Sequence, residues 1–175
     1  MRLIWCLVVV MLFGCTQPRP EHAGSYTPAK DSVAAVDEQS ITDLELQGVS
    51  VNRLGDHMLL VIPSHLLFQG YSVRFAPTAE DVLGRVVTLV KPVSKVRMTI
   101  EAYAPAHQQS ERDLVMTEAQ AQQIRQYLWR QGVNTRLLYA VGYGGGHLLS
   151  QQDADMSLLS INYRVMIKLE EIHSY

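Results

Sequence analysis

The chain has 175 residues, with 15 basic and 17 acidic side chains and a formal net charge of −2 at pH 7. This near-neutral balance gives no argument for binding to nucleic acid or to a charged membrane surface. The only two cysteines, Cys6 and Cys15, exclude a disulfide framework and a metal site built on cysteine. The length is sufficient for one domain with a hydrophobic core.

The first 14 residues predict a cleaved signal peptide. A single basic residue, Arg2, precedes an uninterrupted apolar run over residues 3–13, which is shorter than the ~20 residues that cross a hydrocarbon core. The run ends in Leu-Phe-Gly-Cys, which resembles the lipobox of bacterial lipoproteins, where the cysteine is acylated after cleavage. The resemblance implies lipid attachment at Cys15. The next residue, Thr16, is not the aspartate associated with inner-membrane retention, which favours the outer membrane.

Residues 15–40 predict the lipidated cysteine followed by a flexible tether. The segment contains three prolines and hardly any large apolar residues, so it cannot bury enough surface to offset the entropy lost on ordering. Such a tether spans about 25–30 Å, a distance that suits a domain held by a lipid anchor. Removal of residues 1–14 leaves 14 basic residues against 17 acidic ones and a single cysteine. The mature protein is therefore predicted to form no intramolecular disulfide.

The folded domain is predicted over residues 41–175 and begins with a β-hairpin. Gly55 and Asp56 are turn residues between two strand-like runs, and Pro63 ends the second run. A helix then begins after Thr78, which is preceded by proline and followed by two acids. This helix stops at Pro92.

Two further strands and a second helix complete the predicted order. Residues 96–103 alternate apolar and polar side chains, the period of a strand. Thr117 and Gln120 fit a capping box at the start of the second helix. The apolar residues 137–141 predict a central strand covered on both faces, and residues 161–169 predict the last strand. The sequence thus predicts one α+β domain with a mixed β-sheet, two main helices packed on one face and a preceding N-terminal hairpin.

The second helix and the strand after it carry a family pattern. They read MTEAQAQQIRQYLWRQGV, then an apolar strand that ends in Gly-Tyr-Gly. This resembles the C-terminal domain of the OmpA family, where Leu-Ser-x-x-Arg-Ala-x-x-Val-x-x-Tyr-Leu-x-x-x-Gly-Val precedes a strand ending in Gly-x-Gly. Domains of that family hold peptidoglycan, so the resemblance implies this fold and a site of this type.

The resemblance also locates the family's ligand site, and two charged positions are altered. In the family, an aspartate pairs with the ammonium of diaminopimelate and a helix arginine pairs with a carboxylate. Pro105 stands at the aspartate's position and Gln120 at the arginine's, while Asp113, Asn162 and Arg164 correspond to other family positions. Two lost charge-assisted hydrogen bonds, at roughly 1.5–3 kcal/mol each, weaken binding by about two to four orders of magnitude. The resemblance therefore implies that peptidoglycan binding is weak or absent.

No pattern predicts catalysis, a metal or a cofactor. The six histidines form no pair at helical spacing, there is no Gly-x-Ser-x-Gly elbow, and the glycine run at 142–146 lacks the lysine of a phosphate loop. Three charged residues near the altered site are predicted to be exposed and not to compensate for the lost pairs: Glu101, Arg112 and Arg125.

Two functions remain open. The first is a structural accessory component of an envelope-spanning complex, since the size, lipobox, tether and degenerate site resemble accessory lipoproteins of Dot/Icm type IVB secretion systems. Its partners are then outer-membrane secretion-complex proteins, with these aromatic anchors: Tyr71, Tyr103, Trp129 and Tyr163. The alternative is a wall anchor similar to the peptidoglycan-associated lipoprotein, which uses Asp113, Asn162 and Arg164. Both place the domain in the periplasm, tethered to the outer membrane by lipid.

Overall fold

The computed structural model describes residues 32–105, 110–133, 137–149 and 161–172. The predicted signal peptide, Cys15 and the tether up to residue 31 lie outside these ranges. A 3-10 turn, Val33–Ala35, comes first. The following elements are α1 Glu38–Glu45, β1 Ser50–Leu54, β2 His57–Pro63, α2 Ser64–Leu67, α3 Ala79–Val90, β3 Val96–Tyr103, α4 Glu111–Arg130, β4 Leu138–Gly144 and β5 Arg164–Glu171. Across these ranges, every helix is too short or too polar to cross a membrane.

The five strands form one mixed sheet in the order β1-β2-β5-β3-β4. Strand β3 pairs in parallel with β4, and the other neighbouring pairs are antiparallel. The last strand lies in the middle, where Val165 is opposite Ile62 of β2 on one side and Ala102 of β3 on the other. The predicted α+β class and mixed sheet are confirmed.

The core lies between the sheet and the helices. Alternate strand residues such as Ile100 and Ile167 are fully buried, and they belong to the same apolar cluster as Val86 of α3 and Ile124 of α4. The period of two along the strands and the apolar stripes on the helices therefore meet on one face of the sheet.

The hairpin and the first main helix form where the sequence predicts them. Gly55 adopts a positive φ of 60° in the turn between β1 and β2. Helix α3 begins directly after Thr78, whose hydroxyl does not cap the helix but donates a hydrogen bond to the carbonyl of Leu66 (2.8 Å). The helix ends immediately before the Lys-Pro pair that was predicted to stop it.

The fold begins earlier than the predicted boundary at residue 41. Val33 is fully buried, and its N–H donates to the carboxylate of Glu171 in β5 (2.6 Å). Helix α1 begins after Asp37, whose side chain accepts a hydrogen bond from the backbone N–H of Ser40 (3.0 Å) and whose pKa is lowered by that bond. The tether prediction is therefore wrong for residues 32–40. A single buried valine beside a polar helix produces too little apolar signal to be distinguished from a linker.

The predicted capping box is also wrong. Helix α4 begins at Glu111, and its cap is Ser110, which accepts a hydrogen bond from the N–H of Asp113 (3.1 Å). Thr117 lies inside the helix, where its hydroxyl donates to the carbonyl of Asp113 (2.8 Å). The first turn is polar and has no apolar stripe, so the sequence pattern places the helix start too late.

Strand β4 is an edge strand and not the predicted central strand. Among the residues that the structure describes it pairs only with β3, and α4 packs against it. Leu138 is buried, whereas the next residue, Tyr139, is 48% exposed. Strand β4 is apolar because one of its faces lies on the core. The central position is taken by β5, which pairs with β2 and β3, two strands that are distant from it in sequence.

Candidate functional site

Gln120 is fully buried in the middle of α4, and its side chain forms hydrogen bonds to other residues of the protein. Its Nε2 donates to the carbonyl of Ser72 (2.7 Å) and to the hydroxyl of Tyr163 (2.7 Å). Tyr163 is fully buried as well, and its hydroxyl donates to the carbonyl of Gly70 (3.2 Å). Burial raises the pKa of Tyr163, although the hydrogen bond from Gln120 opposes this shift. A neutral amide thus holds a tyrosine at the residue that the sequence resemblance aligns with the family's arginine.

Asp113 is engaged by its own chain at the start of α4. One carboxylate oxygen accepts from the hydroxyl of Tyr71 (2.5 Å) and the other from the hydroxyl of Ser110 (2.6 Å). The ring of Tyr71 packs edge-on against Tyr163, with 5.6 Å between the ring centroids. Burial and the adjacent carboxylate raise the pKa of Tyr71 well above its usual range. Four side chains therefore form one group, the Gln120 cluster: Tyr71, Asp113, Gln120 and Tyr163.

Arg164 lies on the opposite face of the sheet from this cluster. Its neighbour Val165 points into the core, and successive side chains of a strand alternate between faces. The guanidinium stacks over the ring of Tyr103 at 4.0 Å and donates to the carbonyls of His147 (3.2 Å) and Asn162 (3.1 Å). Desolvation by burial lowers the pKa of Arg164. This arginine fixes the end of the sheet and does not complete the Gln120 cluster.

Glu101 accompanies Arg164 on that second face, and the prediction that it is exposed is wrong. Its side chain accepts from the hydroxyl of Tyr103 (2.7 Å) and pairs with Lys168 (2.9 Å), and the residue is only 4% exposed. Burial, followed by the hydrogen bond to Glu101, raises the pKa of Tyr103 well above its usual range. The other two charged residues, Arg112 and Arg125, are exposed as predicted.

The remaining two family positions lie near the same end of the sheet. Pro105 is half-buried two residues beyond β3, and it supplies neither a charge nor an N–H. Asn162 is buried two residues before β5, and its Oδ1 accepts a hydrogen bond from the N–H of Leu149 (2.8 Å). The structure thus joins Asp113 to Gln120 through two tyrosines and joins Asn162 to Arg164. These two pairs lie apart.

Helix α4 approaches β4 closely at two glycines, a feature that the sequence analysis missed. A Cβ atom on Gly142 would lie 2.1 Å from the backbone nitrogen of Glu118. The N–H of Gly142 donates to the Glu118 carboxylate (2.7 Å), and the N–H of Gly144 donates to the hydroxyl of Thr117 (2.9 Å). The Gly-Tyr-Gly end of the strand was the available signal, because glycine within a strand often marks a close backbone approach.

The aromatic residues predicted as partner contacts differ in exposure. Tyr103 and Tyr163 are buried, and Tyr71 is half-buried, so these three serve the fold. Trp129 is 62% exposed. Among the described residues, no group of three His, Cys, Asp or Glu side chains is arranged to hold a metal ion.

The mixed sheet and the helices packed on it define an OmpA-like domain, a fold of the peptidoglycan-binding type. The family model described as "OmpA family" matches residues 67–157. The chain belongs to the OmpA family. No curated protein sequence matches this chain significantly.

Several solved structures share the fold. A putative MotB-like protein from Desulfovibrio vulgaris has a TM-score of 0.65 at 21% identity, covering 78% of this chain and 88% of its own. The cell wall anchor of the T6SS from Pseudomonas aeruginosa has a TM-score of 0.66 at 17% identity, covering 82% of this chain and 100% of its own. The periplasmic domain of Helicobacter pylori MotB has a TM-score of 0.62 at 17% identity, covering 73% and 82%. At these identities the likeness concerns the fold alone.

Proposed function

We propose that this chain is a non-catalytic outer-membrane lipoprotein that acts as a structural accessory component of an envelope-spanning secretion complex. Its size, the lipobox at Cys15, the tether and the altered site resemble the DotK (IcmN) lipoprotein of Dot/Icm type IVB systems. The domain lies in the periplasm and contacts protein subunits of the complex. Its own peptidoglycan site is degenerate. The likeness of its fold to a T6SS cell wall anchor supports a place in envelope machinery.

One observation supports the proposal that the site is degenerate: the residue at the family's arginine position is neutral and buried. The Nε2 group of Gln120 donates both of its hydrogen bonds within the protein, to the carbonyl of Ser72 and to the hydroxyl of Tyr163. The residue is fully buried, so no donor remains for a ligand carboxylate. Pro105, at the position of the aspartate, cannot pair with an ammonium. The two charged contacts that confer specificity for diaminopimelate are therefore missing.

Wall anchoring is the second candidate, and one observation favours it. Asp113 remains partly exposed at the start of α4 and keeps a carboxylate near the altered site. However, both of its oxygens already accept hydrogen bonds from Tyr71 and Ser110. Arg164 points to the opposite face of the sheet, so it cannot assist Asp113.

Co-sedimentation with purified diaminopimelate-type sacculi tests the proposal. The protein is the chain from residue 15 with Cys15→Ser, run at two salt concentrations beside a peptidoglycan-associated lipoprotein domain as positive control. A third sample carries Pro105→Asp, Gln120→Arg and Tyr163→Arg, and circular dichroism verifies its fold. Residue 163 is included because the family's closing Asn-Arg-Arg-Val pattern corresponds to residues 162–165, so that all three substitutions introduce the family's residue. We expect the wild type to stay in the supernatant and the folded triple variant to pellet.

The same experiment can overturn the proposal. If the wild type pellets with the sacculi and free diaminopimelate releases it, the protein is a wall anchor. A second arm isolates the detergent-solubilised secretion complex through another outer-membrane subunit. We expect this chain at a fixed stoichiometry with Cys15 intact and at a reduced amount with Cys15→Ser. A complex that forms without the chain in both cases contradicts the accessory role.

A further inference from the structure

A groove opens between α4 and β4 at the end opposite their close contact. Near Gly142 the helix backbone lies directly on the strand, leaving no room for a Cβ atom. Toward the start of β4 the two elements leave a groove of about 280 Å³. Among the described residues, four line this Trp129 groove: Arg125, Gln126, Trp129 and Leu138.

The groove displays an aromatic residue and unpaired positive charge. Trp129 is 62% exposed, although it is the largest side chain on α4. Arg125 lies one helical turn earlier on the same face. Within the ranges that the structure describes, the guanidinium of Arg125 makes no hydrogen bond or ion pair. Tryptophan and arginine are the residues most enriched among those that dominate binding energy at protein interfaces.

The free edge of β4 borders the same groove. Strand β4 is at the end of the sheet, and no other strand among the described residues pairs with its outer edge. The N–H of Gly142 points away from β3 and is taken by Glu118 of α4. Because backbone direction alternates with a period of two, Leu138 and Ala140 direct their amides to the same outer edge. An edge of this kind is a template for an added strand.

We propose that the Trp129 groove receives an extended acidic segment of a partner protein. The segment adds its backbone to the edge at residues 138–140, packs an apolar side chain against Trp129 and places a carboxylate on Arg125. The unpaired guanidinium of Arg125 favours an acidic occupant, and the strand edge favours an extended one. The proposed accessory role gives this partner its place in the cell, but the binding chemistry stands apart from the Gln120 cluster.

Trp129 itself reports binding. The chain has two tryptophans, and the other, Trp5, lies in the predicted signal peptide, so the chain from residue 15 with Cys15→Ser contains Trp129 alone. The probe is the peptide Asp-Val-Glu-Ile-Asp-Val-Glu with blocked ends. Two controls are the same peptide with every acid replaced by lysine and the same peptide with N-methylated amides. We expect a saturable blue shift of tryptophan emission with the acidic peptide only.

Variants assign the contacts, with calorimetry as the readout. Arg125→Gln should weaken the acidic peptide about tenfold, the loss of one charge-assisted contact. Trp129→Ala should weaken it about thirtyfold, as expected for a dominant interface residue. Leu54→Ala is the matched control, since Leu54 is 81% exposed on β1, the other edge strand, and should bind like the wild type.

Several outcomes overturn the proposal. These are the absence of a shift at millimolar peptide, equal binding of the lysine peptide, or weakening by Leu54→Ala comparable to that by Trp129→Ala. A blue shift with phosphatidylglycerol vesicles but not with the peptide assigns the groove to a membrane surface instead. Because Trp129→Ala should leave sacculus sedimentation unchanged, a failure here is distinguishable from a failure of the proposed function.

Discussion

Replacing Gly142 with alanine tests whether the close approach of α4 to β4 holds the edge of the sheet. A Cβ atom there would lie 2.1 Å from the nitrogen and 2.6 Å from the Cα of Glu118, and 2.7 Å from the carbonyl carbon of Thr117. These three atoms belong to the helix backbone and cannot rotate away. Ordinary contacts begin near ~3.5 Å, so the helix must move by roughly 1.4 Å.

Two costs add in this variant. Overpacking of a dense interface costs about 1–3 kcal/mol. The movement also lengthens the 2.7 Å hydrogen bond from the Gly142 N–H to the Glu118 carboxylate, a type of bond that contributes about 1.5–3 kcal/mol. We therefore expect the free energy of unfolding to fall by about 3 kcal/mol and Tm to fall by about 10 °C.

Urea unfolding followed by circular dichroism measures the effect, with Gly84→Ala as the matched control. Gly84 lies inside α3, and a Cβ atom there meets nothing within 4 Å. The same substitution should stabilise the protein by about 0.5–1 kcal/mol, because alanine loses less backbone entropy in a helix. If Gly142→Ala is as well tolerated as Gly84→Ala, α4 does not sit on β4 as described and the argument is refuted.

Three further predictions concern buried polar groups and the start of the domain. Thr117→Val should destabilise the protein by about 1–3 kcal/mol in urea unfolding, since the N–H of Gly144 loses its partner, whereas Thr117→Ser should not. Val33→Ala should lower the free energy of unfolding by about 2 kcal/mol in the same assay, because the side chain is fully buried. An unchanged stability would mean that this segment belongs to the tether and not to the folded domain. The pKa values of Tyr71 and Tyr103 are raised in the folded protein, so as the pH rises these two phenols ionise in the unfolded chain before they ionise in the folded one. Stability should therefore be full below pH ~10 and fall above it, less steeply when both are replaced by phenylalanine.

The elements whose signals are local follow from the sequence. The alternation of β3, the Gly-Asp turn of the hairpin and the start and stop of α3 depend on neighbouring residues, and all three form as predicted. In each case the decisive interaction lies within a few residues of the chain.

The features that escaped prediction depend on contacts between distant segments. The insertion of β5 between β2 and β3 moves β4 to the edge, and no property of β4 itself indicates this. Val33 is buried because β5 lies beside it, 138 residues later. Glu101 can be buried because its carboxylate forms an ion pair with Lys168 and accepts a hydrogen bond from the hydroxyl of Tyr103. Composition alone cannot distinguish such residues from a linker valine or an exposed acid.

Under the proposed function, the two residues at the altered site depend on each other. Gln120 and Tyr163, which the family resemblance aligns with arginines, hydrogen-bond to each other in the closed interior. An arginine at residue 120 alone would meet the phenol of Tyr163 and leave a guanidinium buried without a counter-charge, which is strongly destabilising. Removing Tyr163 alone would leave the amide of Gln120 short of a partner and open a cavity. Each residue therefore stabilises the other, so the stability of the fold alone is a sufficient reason to keep this neutral pair, as the proposed function requires.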